Sequence, residues 1–127
     1  MGTLMLRRRA AMRREAVAWP LTLTVEMIYG IIINISDGTA GGNPSWSGTD
    51  YIEVPEGSVR AEIETGAYGY GTYLRGAFYD SAHNTISTWG PIYQQYIPVF
   101  PAGTVYVRFS AQKVQGSGSA KITFFNE

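Results

Sequence analysis

The chain has 127 residues, which is enough for one domain with its own core and too short for two. It contains no cysteine, which excludes disulfides, cysteine-ligated zinc and thiol catalysis. Charged residues are only 16% of the chain, whereas aromatic residues reach 13% and include nine tyrosines. This composition favours an all-β protein whose surface is partly covered by neighbouring subunits or by sugars.

The net charge of zero divides into a basic arm and an acidic body. Residues 1–20 carry five arginines and one glutamate, for +4, while residues 21–127 carry five basic and nine acidic residues, for −4. Such an arm is typical of a solvated tail, of an anchor on an acidic protein surface such as a neighbouring copy, or of a nucleic-acid or membrane contact. Nucleic acid is the least favoured of these partners.

The arm holds the only stretch with helix-forming composition, Leu4 to Trp19, and Pro20 ends it. On a helical wheel, Met5, Met12, Ala16 and Trp19 form one narrow apolar stripe. So short a helix is marginal alone in water, so we expect it to need a partner. The alternative is a frayed tail that is ordered only by its contacts.

Two features of the sequence bear on export and membranes. Arg13, Arg14 and Glu15 interrupt the apolar segment that a signal peptide requires. The most apolar later stretch, Met27 to Ile35, is far shorter than the roughly 20 residues of a membrane-spanning helix. We therefore expect a soluble protein without a membrane span that no classical N-terminal signal exports.

From Leu21 onward, short runs of alternating apolar and polar residues lie between Gly, Pro, Asn and Asp, the pattern of β-strands. We predict strands over 21–26, 29–36, 50–54, 58–65, 72–79, 85–89, 105–111 and 120–125. Val59, Ala61 and Ile63 should point inward in one of these strands, and Val105, Val107 and Phe109 in another, with Tyr106, Arg108 and Ser110 on the opposite face.

Two stretches are predicted as loops because of their density of Gly, Asn and Pro. They are 37–49, in which Trp46 is expected to plug the end of the core rather than to serve as a ligand platform, and 90–100. The whole pattern predicts an all-β fold, an antiparallel β-sandwich of jelly-roll type with a short N-terminal helix. Residues 1–20 would be the helical arm and residues 21–127 the sandwich domain.

A set of motifs between Thr49 and Phe109 carries a family resemblance. They are Asp50-Tyr51-Ile52-Glu53-Val54, Pro55-Glu56-Gly57, Phe78-Tyr79-Asp80 with Asn84 and Ile86, Pro101-Ala102-Gly103, and Val105-Tyr106-Val107-Arg108-Phe109-Ser110. In this order they resemble a small β-sandwich module of tailed-bacteriophage structural proteins and carbohydrate-binding-like domains. The leader from Leu4 to Met12 is similar to those that precede such domains in phage appendage and decoration proteins.

The resemblance implies a non-enzymatic virion protein, assembled in the host cytoplasm, with a displayed sandwich domain in a tail, baseplate or head-decoration subunit. It implies a homo-oligomer, preferably a trimer, that also contacts other virion proteins. Anchoring or oligomerisation would then fall to the arm, through Met5, Arg7, Arg8, Arg9, Met12, Arg13 and Trp19. The matching positions are strand and turn residues, so the resemblance carries over no sugar-contacting residue.

The sequence offers no catalytic constellation. The only histidine, His83, lies in a polar turn without a nearby carboxylate cluster, which is weak support for a metal site. Glu62 and Glu64 share a strand face with Arg60, which is the pattern of a solvated surface rather than of two carboxylates flanking a cleft. We expect no enzymatic activity, no metal and no cofactor.

Sugar binding is the rival hypothesis. Aromatic residues gather in two loop-rich segments, and their rings would suit either pyranose faces or a subunit interface: Tyr68, Tyr70, Tyr73, Trp89, Tyr93 and Tyr96. We favour the interface. The alternative function is a carbohydrate-binding module or adhesin domain of a bacterial surface protein, with host-surface glycans as the ligand.

Overall fold

The computed structural model describes residues 18–65, 74–92, 96–97, 99–112 and 118–127. These residues form nine antiparallel strands and no helix, which confirms the all-β class. The strands are β1 (Leu21–Ile33), β2 (Ala40–Gly48), β3 (Ile52–Glu53), β4 (Arg60–Glu64), β5 (Leu74–Tyr79), β6 (Thr85–Ile92), β7 (Tyr96–Ile97), β8 (Tyr106–Gln112) and β9 (Gly118–Phe125). No helix among the described residues has the length and apolar character to cross a membrane.

Strand β1 is shared by the two halves of the sheet. Its first part, Leu21–Met27, pairs with β9, and its second part, Ile28–Ile33, pairs with β2. The register shifts between Tyr29 and Ile31, and Gly30 between them has φ +88°, a value that few other residues adopt. The two strands predicted over 21–26 and 29–36 are therefore one strand with a bulge.

The strands make one sheet in the order β6-β5-β8-β2-β1-β9-β4-β7, with β3 paired beside β2 on β8. The sheet curls, because buried side chains of β4 and β9 from one half join those of β5, β6 and β8 from the other in one cluster. Phe100 packs between the halves, with its ring centroid 5.7 Å from that of Phe78 and 6.1 Å from that of Phe124. A second, smaller cluster with Ile33, Ala77 and Tyr79 covers the opposite face of β5.

Both predicted loops contain strands. The predicted loop over 37–49 is wrong, because β2 runs through it and pairs with β1 and β8. A glycine is needed here for packing: a β-carbon on Gly48 would lie 2.9 Å from the Ile31 Cγ2. Trp46 is buried, 5% exposed, with the Arg75 guanidinium 4.6 Å from its ring centroid. Strand β6 likewise extends to Ile92, and β7 lies within the second predicted loop.

The predicted inward and outward faces are partly correct. Val107 and Phe109 are buried as expected, but Arg108 and Ser110 on the opposite face of β8 are buried too, because the second cluster covers that face. Val59, predicted inward, is 37% exposed. Strand β4 itself follows the prediction, with Ala61 and Ile63 buried.

Most of the predicted N-terminal helix lies outside the described residues. Its last two positions, Ala18 and Trp19, are described and are not helical. Trp19 packs against the main core cluster and lies beside the turn at Gly57, so it belongs with the body.

Candidate functional site

The residues predicted for sugar or interface contacts are described only in part. Tyr68, Tyr70, Tyr73 and Tyr93 lie outside the described residues, and so does the side chain of Tyr96. Trp89 is described, and its ring is 6% exposed in the main core, 6.5 Å from the Phe78 ring. Its indole Nε1 has no acceptor among the described residues. Of the predicted anchoring set, Met5, Arg7, Arg8, Arg9, Met12 and Arg13 also lie outside, and only Trp19 is described.

An aromatic cluster lies on the outer face of β5 and β8. The imidazole of His83 stacks on the ring of Tyr51 with 3.9 Å between centroids and 7° between planes. Tyr79 and Tyr106 meet the Tyr51 ring edge-on, at 4.9 and 5.9 Å. The cluster therefore packs the turn after β5 against the segment before β3. His83, the only histidine, has a structural role in this packing.

The turn that presents His83 is held by one carboxylate. Asp80 Oδ1 accepts hydrogen bonds from the backbone N–H groups of Ala82 and Asn84, both at 2.9 Å. These hydrogen bonds, the one from Asn84 N–H first, hold the pKa of Asp80 below its ordinary value. His83 itself has φ +66°, which the turn imposes. The backbone thus places the imidazole flat against Tyr51.

Arg108 completes the cluster from the sheet side. Its Nε donates a hydrogen bond of 3.0 Å to the Thr49 carbonyl, and its guanidinium carbon lies 4.7 Å from the centroid of the Tyr51 ring. Since the imidazole of His83 already covers one face of that ring, the guanidinium takes the other. Neither face of Tyr51 is left for a ligand such as a sugar.

Tyr79 links this cluster to the β1–β2 connection. Its hydroxyl donates a 2.6 Å hydrogen bond to the Gly38 carbonyl, and the side chain is 1% exposed. Burial raises the pKa of Tyr79 to about 12, although the positive charge of Arg108 acts to lower it. The phenol is a neutral structural donor.

A groove of about 300 Å³ lies beside the cluster, between β1 and the segment that leads into β3. Its walls are Val25, Glu26, Ile28, Thr49, Asp50, Tyr51 and Ile52. The groove forms where β1 and β2 separate. Strand β2 pairs with β1 only from Ile28 onward, and after Gly48 the chain leaves β1 but stays paired with β8, which it meets again at Ile52. The Val25–Met27 part of β1 consequently has no described strand beside it on the β2 side.

The groove combines two acidic side chains with apolar ones. Glu26 and Asp50 are both exposed, and neither forms an ion pair with a basic side chain of the described residues. Asp50 Oδ1 accepts a 2.8 Å hydrogen bond from the Tyr51 N–H, which fixes its carboxylate at the rim. Thr49 is satisfied internally, because its Oγ1 accepts from the Phe109 N–H at 3.2 Å. The groups of this groove that remain able to bind a ligand are therefore two carboxylates, which favour a cation.

The other carboxylate pair considered from the sequence lies on the surface. Arg60 Nη1 is 3.1 Å from Glu62 Oε2, and both side chains are about half exposed. Nowhere in the described ranges do three or more histidine, aspartate or glutamate side chains form a group that would hold a metal ion.

The chain matches no protein-family model and no curated protein.

The pattern of the sequence did not predict the groove. In the sequence pattern Glu26 is the last residue of one predicted strand and Asp50 is the first residue of another, and their proximity follows from the exchange of partners along β1. No local pattern in the sequence predicts that exchange of strand partners.

Proposed function

We propose that this protein is a non-enzymatic structural subunit of a bacteriophage particle. In this proposal the body is displayed as a jelly-roll β-sandwich, and the basic arm anchors it to a neighbouring copy or to another virion protein. The motifs between Thr49 and Phe109 and the leader from Leu4 to Met12 support the phage assignment through their resemblance to such proteins.

The distribution of charge on the body is the observation that carries the anchoring role. All of its acidic side chains are exposed except Asp80, which is half-buried. Its three arginines all lie over aromatic rings: Arg60 over Phe125, Arg75 over Trp46, and the buried Arg108 over Tyr51. The body therefore presents an acidic surface, and the arm of the same chain carries the complementary charge.

The test is the absolute mass in solution, by light scattering after gel filtration, of the full chain and of a chain lacking residues 2–17. This truncation spares Trp19, which packs on the core. We expect a closed oligomer, preferably a trimer, that becomes a monomer on truncation. Salt should weaken the oligomer, because ionic strength screens contacts between exposed charges.

A second measurement addresses the virion itself. Antibodies raised against the body should label phage particles purified from a culture that produces this chain. A protein that is monomeric in both forms and absent from particles would overturn the proposal. Retention of that monomer on a host-glycan column would favour the carbohydrate-binding alternative, which requires no arm.

A further inference from the structure

We propose that the groove between β1 and Thr49–Ile52 binds the arginine-rich arm of a second copy of this chain, with Arg7–Arg9 as the inserted segment. The inference rests on the proposed function, because it names the surface through which the subunits would anchor. It assigns the groove a ligand of defined chemistry, a guanidinium on an apolar stem.

The shape and chemistry of the groove fit an arginine side chain. Val25 and Ile28, both half-buried, offer apolar surface for the methylene stem, while Glu26 and Asp50 offer carboxylates for the guanidinium. A volume of about 300 Å³ suits individual side chains and lies at the small end of the roughly 300–1,000 Å³ of ligand pockets. Beside the groove, Val25–Met27 of β1 pairs with β9 on one edge but has no described strand partner on the β2 edge, so the arm can also hydrogen-bond there.

Charge complementarity decides in favour of the arm over a sugar. A sugar site would use the face of Tyr51, but His83 and Arg108 cover that ring. The groove walls contain no basic residue, and neither carboxylate has a cationic partner in the described part of the chain. The arm supplies five arginines against one glutamate. Each molecule thus carries both a donor segment and an acceptor groove, which makes a head-to-tail contact that closes into a ring where the rotation between neighbouring copies allows it.

The experiment compares full-length chains by light scattering over a range of protein concentrations. The groove variant combines Glu26→Gln with Asp50→Asn, which removes two charges but keeps an oxygen at Asp50 for the Tyr51 N–H. The control combines Glu62→Gln with Glu64→Gln, which removes the same charge from the exposed row on β4. We expect the groove variant to weaken self-association at least about 10-fold, because a docked guanidinium loses its direct hydrogen bonds to carboxylates. The control should weaken it less than about 3-fold, because Glu62 and Glu64 contribute only long-range attraction to the arm.

A charge exchange provides the rescue. Glu26→Lys with Asp50→Lys should give a monomer, and so should Arg7→Glu with Arg8→Glu and Arg9→Glu. A mixture of the two chains should associate, because the arm of each chain then meets a complementary groove on the other. The two chains must alternate, so the mixture should form heterodimers or even-numbered assemblies and not the wild-type trimer. Equal association of the groove variant, the control and the wild type would overturn the groove assignment and leave the proposed oligomer intact. A wild-type chain that stays monomeric at every concentration would overturn both. Melting temperatures of all variants identify any loss of association that follows from unfolding.

Discussion

Gly76 and Trp89 face each other across β5 and β6, and a β-carbon on Gly76 would lie 2.5 Å from the Trp89 Cζ2. The same β-carbon would also collide with the Arg108 carbonyl oxygen on β8. The indole thus occupies the space that a side chain at position 76 would need. A glycine in the middle of a central strand is explained by this contact.

Gly76→Ala should consequently lower the free energy of unfolding by about 1–3 kcal/mol or more, because the added methyl overpacks the core. Gly42→Ala is the matched control, since its β-carbon would have no heavy atom nearer than 4.0 Å. Urea unfolding measures both. Equal stability of the two variants would show that the indole and the β8 backbone yield to the methyl at little cost.

Trp89→Ala should destabilise the protein by about 3–5 kcal/mol, the usual cost of deleting a large buried aromatic side chain. The ring is 6% exposed and belongs to the main core. Any loss of glycan retention in this variant would therefore accompany a lower melting temperature and would not identify a sugar site. An unchanged melting temperature would contradict the burial of the ring.

Tyr79 should make the protein sensitive to alkaline pH. Its pKa is raised to about 12 from the ordinary 10.0, so the unfolded chain loses this proton first. The stabilisation is complete below pH 10 and is lost as the pH rises toward 12. Denaturant titrations at pH 8 to 11.5 should show a steeper decline for the wild type than for Tyr79→Phe.

At pH 8 the same Tyr79→Phe variant should be less stable by about 1–2 kcal/mol, because the Gly38 carbonyl loses its donor. Tyr29→Phe is the control, at a ring that is 46% exposed. Parallel pH profiles for the wild type and Tyr79→Phe would argue against a buried neutral phenol.

Arg108→Lys should lower the free energy of unfolding by about 1–3 kcal/mol although it keeps the charge, because an ammonium lacks the planar group that both donates to the Thr49 carbonyl and stacks on Tyr51. Arg60 is the exposed counterpart: its Nε donates to the Glu127 carbonyl and its guanidinium lies 4.0 Å from the Phe125 ring centroid, but its side chain is 40% exposed. Arg60→Lys should therefore change the free energy of unfolding by less than about 0.5 kcal/mol, because water replaces these contacts at the surface. Thermal unfolding distinguishes the two. An Arg108→Lys chain as stable as the wild type would mean that Arg108 acts only through its charge.

Trp19→Ala should destabilise the body, because the indole packs on the core and beside Gly57. Removal of residues 2–17 should leave the melting temperature of the monomer unchanged. We expect a chain lacking residues 2–19 to behave like Trp19→Ala in differential scanning calorimetry. If all three chains melt together, the packing of Trp19 contributes nothing to stability.

The sequence alone determined the all-β class and most of the strand positions, since apolar alternation in runs such as Ala61 to Ile63 and Val107 to Phe109 is a local property of the chain. It also located the turn around Asp80, where one carboxylate organises its own neighbours. The jelly-roll arrangement, the phage role and the roles of the arm residues and of the tyrosines outside the described residues stay predictions.

Only the tertiary structure decided what depends on partners distant in the sequence. The glycine-rich stretch at Ala40–Gly48 is a strand because β1 and β8 pair with it, and Arg108 is buried because a second cluster covers the outer face of β8. The groove at Glu26 and Asp50 exists because β1 exchanges β9 for β2 along its length. Periodicity shows which face of a strand is apolar, but which strands pair, and where they part, is set by contacts between residues far apart in the chain.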